Sequence, residues 1–162
     1  MASSGETFAL DLKAFVEKAK GNVSEVVRKT TQNVVQRVVL TTPVGLRELW
    51  AVNKDRAKRG LPLTPPGYVG GRLRANWNVS LVSPDTSTTD KVDPDGSATI
   101  ARAAAVIAQA DGKQDIWIMN SLPYAIPIEY GHSNQAPAGM VRITVADFQE
   151  SVNAAAASLA NE

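Results

Sequence analysis

Cysteine is absent from this 162-residue chain and histidine occurs once. Without thiols there is no disulfide framework, no thiolate nucleophile and no Cys-ligated zinc, and one imidazole leaves most His-based metal sites and catalytic dyads unbuilt. An excess of one charge is also missing. Seventeen Lys and Arg face sixteen Asp and Glu, a net +1, whereas a dedicated nucleic-acid binder is strongly basic. No apolar run approaches the roughly 20 residues that span a bilayer. The opening MASSGETFALDLK lacks a basic flank followed by an apolar stretch, so no membrane partner is expected and the chain reads as an intracellular soluble protein. Apolar content of 44% with 20% charged residues marks one globular domain over 1–162.

What is present is patterning. Residues 1–44 carry six basic and four acidic side chains, 45–74 carry seven and two, and 75–162 carry four and ten. A basic segment beside an acidic half suits a molecule whose faces meet different surfaces, another copy of itself included. Phe8, Leu12, Phe15, Ala19, Val23, Val26, Thr30, Val34 and Val38 recur at steps of three or four, the stripe of one amphipathic helix over 7–40. Thr7 or Ser4 is its candidate cap, and Pro43 stops it. Such a helix rises about 50 Å, while a domain of this length has a radius of gyration of about 15 Å. It must therefore bend, with Gly21-Asn22 the expected place, or run beyond its own domain to another chain. The stripe itself reads as core.

Residues 41–71 hold four of the nine prolines and five of the eleven glycines around Lys54, Arg56, Lys58 and Arg59. They read as a long extended arm, with one helical turn around Arg47 to Asn53. Its glycines fit neither of the phosphate-cradling spacings. Over Arg72–Ser83, Leu73, Ala75, Trp77, Val79 and Leu81 alternate with polar residues, as in a half-buried strand. Arg72 and Arg74 then lie on its outer face, where their planar forks pair with acids of this chain or a neighbour. The polar stretch 83–97 reads as an exposed hairpin or loop whose Asp85, Asp90, Asp93 and Asp95 miss the calcium-loop pattern.

An alanine-rich helix follows over 98–110, with Ser97 as candidate cap, and then a short buried strand, Asp115–Asn120. Its Trp117 is expected to share a core with Trp77 or to line a subunit contact. Residues 121–137 are irregular, and Val141, Val145, Phe148, Val152, Ala155 and Leu159 mark a C-terminal amphipathic helix. The fold class is α+β: long N-terminal and C-terminal helices packed on a small, mainly antiparallel sheet, with a long extended arm.

Glu129, Tyr130, His132 and Ser133 are the nearest thing to a catalytic set. A Ser-His-acid machine needs the imidazole between nucleophile and acid, whereas neighbouring side chains of an extended segment diverge, and no nucleophile elbow is present. Tyr124, Tyr130 and His132 are expected to anchor a loop instead, and no catalytic, cofactor or metal site is assigned.

Three segments carry a resemblance: TPVGLRELW at 42–50, PPGYVGGRLRANW at 65–77 and NSLPYAIPIEYGHSNQAPAGMVRITVADF at 120–148. Together they resemble the neck and tail-completion proteins of tailed phages, the family related to the minor tail protein Z of phage lambda. In that family a Thr-Pro-Val element, here Thr42 to Val44, leads to a Gly-x-x-Arg-x-Asn/Ser-Trp strand, here Gly71 to Trp77. An Asn-x-Leu-Pro-Tyr-Ala segment then runs into Glu-Tyr-Gly, here Asn120 to Gly131. This chain departs from the commoner Pro-Val-Asp-Thr-Gly version by an insertion between Val44 and Gly67.

The resemblance implies a non-enzymatic virion protein, assembled in the cytoplasm of the infected bacterium as a ring of six copies. That ring would sit where the tail meets the head connector, touching other neck proteins and the tail terminator. The competing readings are a tail-terminator ring capping the tube and a module whose basic arm contacts DNA passively in the channel. A hydrolase built on His132 stands third. Contact surfaces are expected at Arg47, Trp50, Lys54, Arg56, Lys58, Arg59 and Tyr68 on the arm. Arg72 and Arg74 on the strand, and Tyr124, Glu129, Tyr130 and His132 on the later loop, complete them.

Overall fold

The structure, a computed structural model, describes residues 4–160, with side chains over 12–159. Helix α1 spans Ser4–Thr41 and ends two residues before Pro43, whose ring disfavours the helical conformation at Thr42. It is unbroken at Gly21, where a Cβ would meet nothing within 4 Å, so the glycine lies in open space and this part of the helix projects from the body. Among the described residues, its hydrogen-bonded ties to the body nearest the projecting end are at Ser24, whose Oγ donates to the Asp111 carbonyl at 2.6 Å, and at Arg28, whose Nε donates to the Ala110 carbonyl at 2.7 Å. Every residue from Leu12 to Val23 is exposed, and Phe15 is 70% accessible. Leu12, Phe15, Ala19 and Val23 are therefore not core, because no other element extends far enough to cover them. Phe8, Ser4 and Thr7 lie outside the described side chains.

The C-terminal half of α1 does pack. Val35, Val38 and Val39 enter the main cluster between α4 (Ser97–Ile107) and α7 (Phe148–Ala160). Helix α7 runs antiparallel to α1: Asp147 pairs with Arg37 at one end, and Ser158 accepts from Lys29 at 3.2 Å at the other. The expected C-terminal helix is divided at Asp147 into α6 (Val141–Ala146) and α7. Its stripe is divided too. Ala155 is buried against α1, while Val141, Val145 and Phe148 are exposed.

Strands β1 (Asn78–Leu81) and β2 (Ile116–Met119) pair antiparallel, Val79 opposite Ile118 and Ser80 opposite Trp117, with α4 connecting them. The architecture is thus α+β, with the sheet reduced to two strands. The strand expected over 72–83 is only half realised: Arg72–Ala75 forms one helical turn, α3, opened by Gly71 at φ +102°. Both conformations bury Leu73, Ala75 and Trp77, so the alternation alone does not separate them. Trp77 is 4% exposed, and its Nε1 donates to Thr42 Oγ1 at 2.7 Å. Trp117 lies on the opposite sheet face, 38% exposed, and shares no core with Trp77.

The 83–97 stretch is no hairpin. Asn76 clamps it by donating to the Thr89 carbonyl at 2.9 Å and accepting from the Thr89 amide at 2.7 Å. Buried Asp93 accepts the Thr99 amide at 2.7 Å and the Gly96 amide at 3.2 Å. It caps α4 in place of Ser97, satisfying amides that the helix leaves unpaired.

The arm is folded rather than extended. A 3-10 turn at Arg47–Leu49 leads into α2 (Ala51–Lys58), and the chain returns through Thr64. Asn53, fully buried, closes the lobe: its Nδ2 donates to the carbonyls of Arg47 (2.9 Å) and Thr64 (2.7 Å), and its Oδ1 accepts the Thr64 amide at 2.9 Å. Asn53→Ala leaves these backbone groups unsatisfied, a cost of about 1–3 kcal/mol. Native-state hydrogen exchange should show the Thr64 amide losing protection while the amides of α4 keep theirs. Unchanged exchange at Thr64 would show that Asn53 does not hold the lobe shut.

Candidate functional site

The three segments that carry the resemblance meet around one cleft of about 200 Å³. Pro43, Val44 and Gly45 supply one wall, Tyr68, Arg72 and Leu73 another, and Tyr124, Ile128 and Gln135 the third. Gln135 joins the first and third walls by donating Nε2 to the Val44 carbonyl at 3.0 Å. The walls come this close because Gly45 and Gly70 have no side chains: a Cβ at Gly45 would strike the Tyr68 hydroxyl, and one at Gly70 the Gly45 carbonyl. Tyr68 is fixed from behind by Trp50, edge to face at 4.8 Å between centroids.

Arg72 is the cation of the cleft. Its Nη2 pairs with Asp90 at 2.7 Å and its Nε donates to the Thr89 carbonyl at 3.2 Å, so the expected pairing with an acid of this chain holds on a helical turn rather than a strand face. Burial raises the Tyr124 phenol above its ordinary value, opposed by the Arg72 guanidinium. The phenol is therefore a neutral hydrogen-bonding group at physiological pH. A guanidinium beside phenols and an amide can hold polar backbone or an anion, and Ser133 adds a hydroxyl to the same lining.

The other expected contact residues divide into ties and free surface. Arg47 donates to the Pro65 carbonyl at 2.8 Å and Arg56 to the Pro62 carbonyl at 2.8 Å, so both brace the lobe from within. Arg59 pairs with Asp55 at 3.5 Å across one helical turn, a spacing worth little in water. Lys54 and Lys58 are exposed. Arg74 is not on an outer face: it donates to the carbonyls of Leu40 (3.1 Å), Thr42 (2.7 Å) and Pro94. Tyr130 is exposed under the Arg142 guanidinium at 5.3 Å. His132 is exposed, its backbone amide bonded to the Pro127 carbonyl at 3.1 Å.

Glu129 is a cap. Its carboxylate accepts the amides of Met140 (2.7 Å), Val141 (2.8 Å) and Arg142 (2.9 Å), the first turn of α6. Gly139, at φ +85°, keeps the approach open, because a Cβ there would strike this carboxylate. The four aspartates once compared with a calcium loop are likewise employed: Asp85 and Asp95 accept the amides of Ser87 and Ser97, Asp90 holds Arg72 and Asp93 caps α4. Among the described residues no group of three or more His, Asp and Glu is placed to hold a metal.

The backbone-holding roles of Asn53, Asn76 and Asp93 escaped the sequence reading. The signal for Asp93 was its place just upstream of a helix start; Asn53 had none, being one polar residue in a polar segment. Comparison with protein-family models, curated proteins and solved structures finds no match to this chain.

Burial alone would raise the Glu129 carboxyl, but the amides of Val141, Arg142 and Met140 and the Arg142 guanidinium outweigh it and hold the group below its ordinary 4.5. A depressed carboxyl contributes stability that is present above its unfolded value and lost as pH falls through the folded one. Glu129→Gln should therefore lower stability at pH 7, and denaturant unfolding should show the gap to wild type narrowing below pH 4.5. A gap independent of pH would refute the assignment.

Proposed function

We propose that this chain is a non-enzymatic structural protein of a tailed-phage virion. It is one subunit of a homo-oligomeric ring, of six copies, that completes the tail in the neck and joins it to the head connector. The observation that carries this reading is α1: a helix that packs only in its C-terminal half and holds an apolar stripe, Leu12, Phe15, Val16 and Val23, outside its domain. Such a surface is left for other chains to cover. The reading also draws on the meeting of the three resembling segments at one cleft, where backbone closeness and hydrogen bonds tie loops together.

On this reading the folded lobe presents its basic helix α2 to a neighbouring surface, and the acidic C-terminal half offers the complement. A DNA-facing lobe is favoured by one feature, the exposed Lys54 and Lys58. Its signature is affinity that falls steeply with salt.

Antibody raised against the chain should label the head–tail junction of particles produced by the encoding genome; label on fibres or capsid faces, or none on virions, would refute the neck assignment. Replacing Lys54, Lys58 and Arg59 together by Ala should leave thermal unfolding unchanged while unjoined heads and tails accumulate. A normal yield of infectious particles from that variant would remove the lobe from the contact surface.

A further inference from the structure

Two apolar faces of this chain lie uncovered, and they sit at opposite ends of α1. The first is Leu12, Phe15, Val16 and Val23 on its projecting half, the last three of which form with the Asp111–Lys113 turn an open groove of about 580 Å³. The second is Val141, Val145 and Phe148, at spacings of four and three residues along α6 and the start of α7, with Val145 64% exposed. Because Arg37 pairs with Asp147, the second face lies level with the end of α1, and the 22 residues from Phe15 to Arg37 set the two roughly 33 Å apart along the helix. They cannot meet within one chain.

Their charges are complementary. Over 12–23 Lys20 pairs with Glu17, which leaves Lys13 and Lys18, whereas over 141–150 Asp147 pairs with Arg37 and Arg142 with Glu129, which leaves the carboxylate of Glu150. Each face is also the continuation of a stripe already used in folding: Val23 leads into the packed part of α1, and Phe148 leads to Ala155, buried against α1. A partner helix that extends either stripe repeats the packing that α1 and α7 already make.

We propose that the occupant is a second copy of this chain: the projecting half of α1 from one copy lies on the α6–α7 face of the next. Different patches meet at such a contact, so it is heterologous and generates a ring when its rotation closes. The inference rests on the ring reading and adds its route of association.

The absence of cysteine provides the test. Phe15→Cys and Val145→Cys are both exposed substitutions in a chain with no other thiol. Mixed in equal amounts and oxidised, the two variants should yield the disulfide-linked heterodimer as the main cross-linked species, whereas Val82→Cys, at an exposed position just past the end of β1 and outside both faces, should not link to Phe15→Cys. Phe15→Glu should weaken wild-type self-association at least about tenfold by sedimentation, since its carboxylate would be buried unpaired, with the helical circular dichroism unchanged. Predominant Phe15→Cys homodimers would overturn the proposal in favour of a symmetric helix pair. Absence of the heterodimer would overturn it whether or not wild type self-associates. Junction labelling that persists in that case would show the neck reading surviving the loss of this contact.

Discussion

The C-terminus of α1 ends inside the protein, and its last carbonyls have no helical partners. That constraint organises most of what surrounds it. The last turn contains no basic residue of its own, so the positive charge that suits a helix C-terminus comes from Arg74, which donates to the Leu40 and Thr42 carbonyls. Thr42 Oγ1 donates to the Val38 carbonyl at 2.6 Å and accepts from Trp77. Arg102 of α4 then reaches the carbonyls of Ala75 and Trp77 at 2.9 and 3.0 Å. One segment, Gly71 to Trp77, thereby joins the end of the long helix, the start of β1 and the middle of α4. Burial lowers the Arg74 guanidinium from its ordinary value, against Asp93 and Asp95, and it stays a cation throughout the physiological range.

Most charged and amide side chains in the irregular regions serve the backbone. Glu129 collects three amides, Asp93 two, Asn53 and Asn76 each span a loop, and Arg47, Arg56 and Arg74 cap carbonyls. Such groups are committed to holding shape. What remains for partners is a different set: the apolar helix faces, two lysines of α2, and Tyr130 with His132 on the loop after α5 (Ala125–Glu129).

The legible parts of this fold were those governed by period and by proline. Pro43 located the end of α1, the alanine-rich segment gave α4, and the run around Trp117 gave β2, because each reports local geometry. Trp77 was legible as a core anchor even though the chain beside it turned out helical, since a single turn buries the same positions that a strand would. Phe15 was misread as core because periodicity reveals that a helix has an apolar face, not what covers it. Glu129 was considered for chemistry and is a cap, a role set by amides eleven to thirteen residues away. Only the folded loop, with Gly139 leaving room, brings them to the carboxylate.

The lobe over 45–70 begins and ends at the same place, since Gly45 and Gly70 touch, and its internal bonds close on Asn53, with Arg47 and Arg56 bracing the return of the chain. Two residues already adjacent in space can be bridged by a short turn at little entropic cost, so the body beneath is indifferent to how much chain lies between them. The lobe is in that sense a replaceable module. A shorter, longer or different lobe could stand between the same two glycines without redesigning the core.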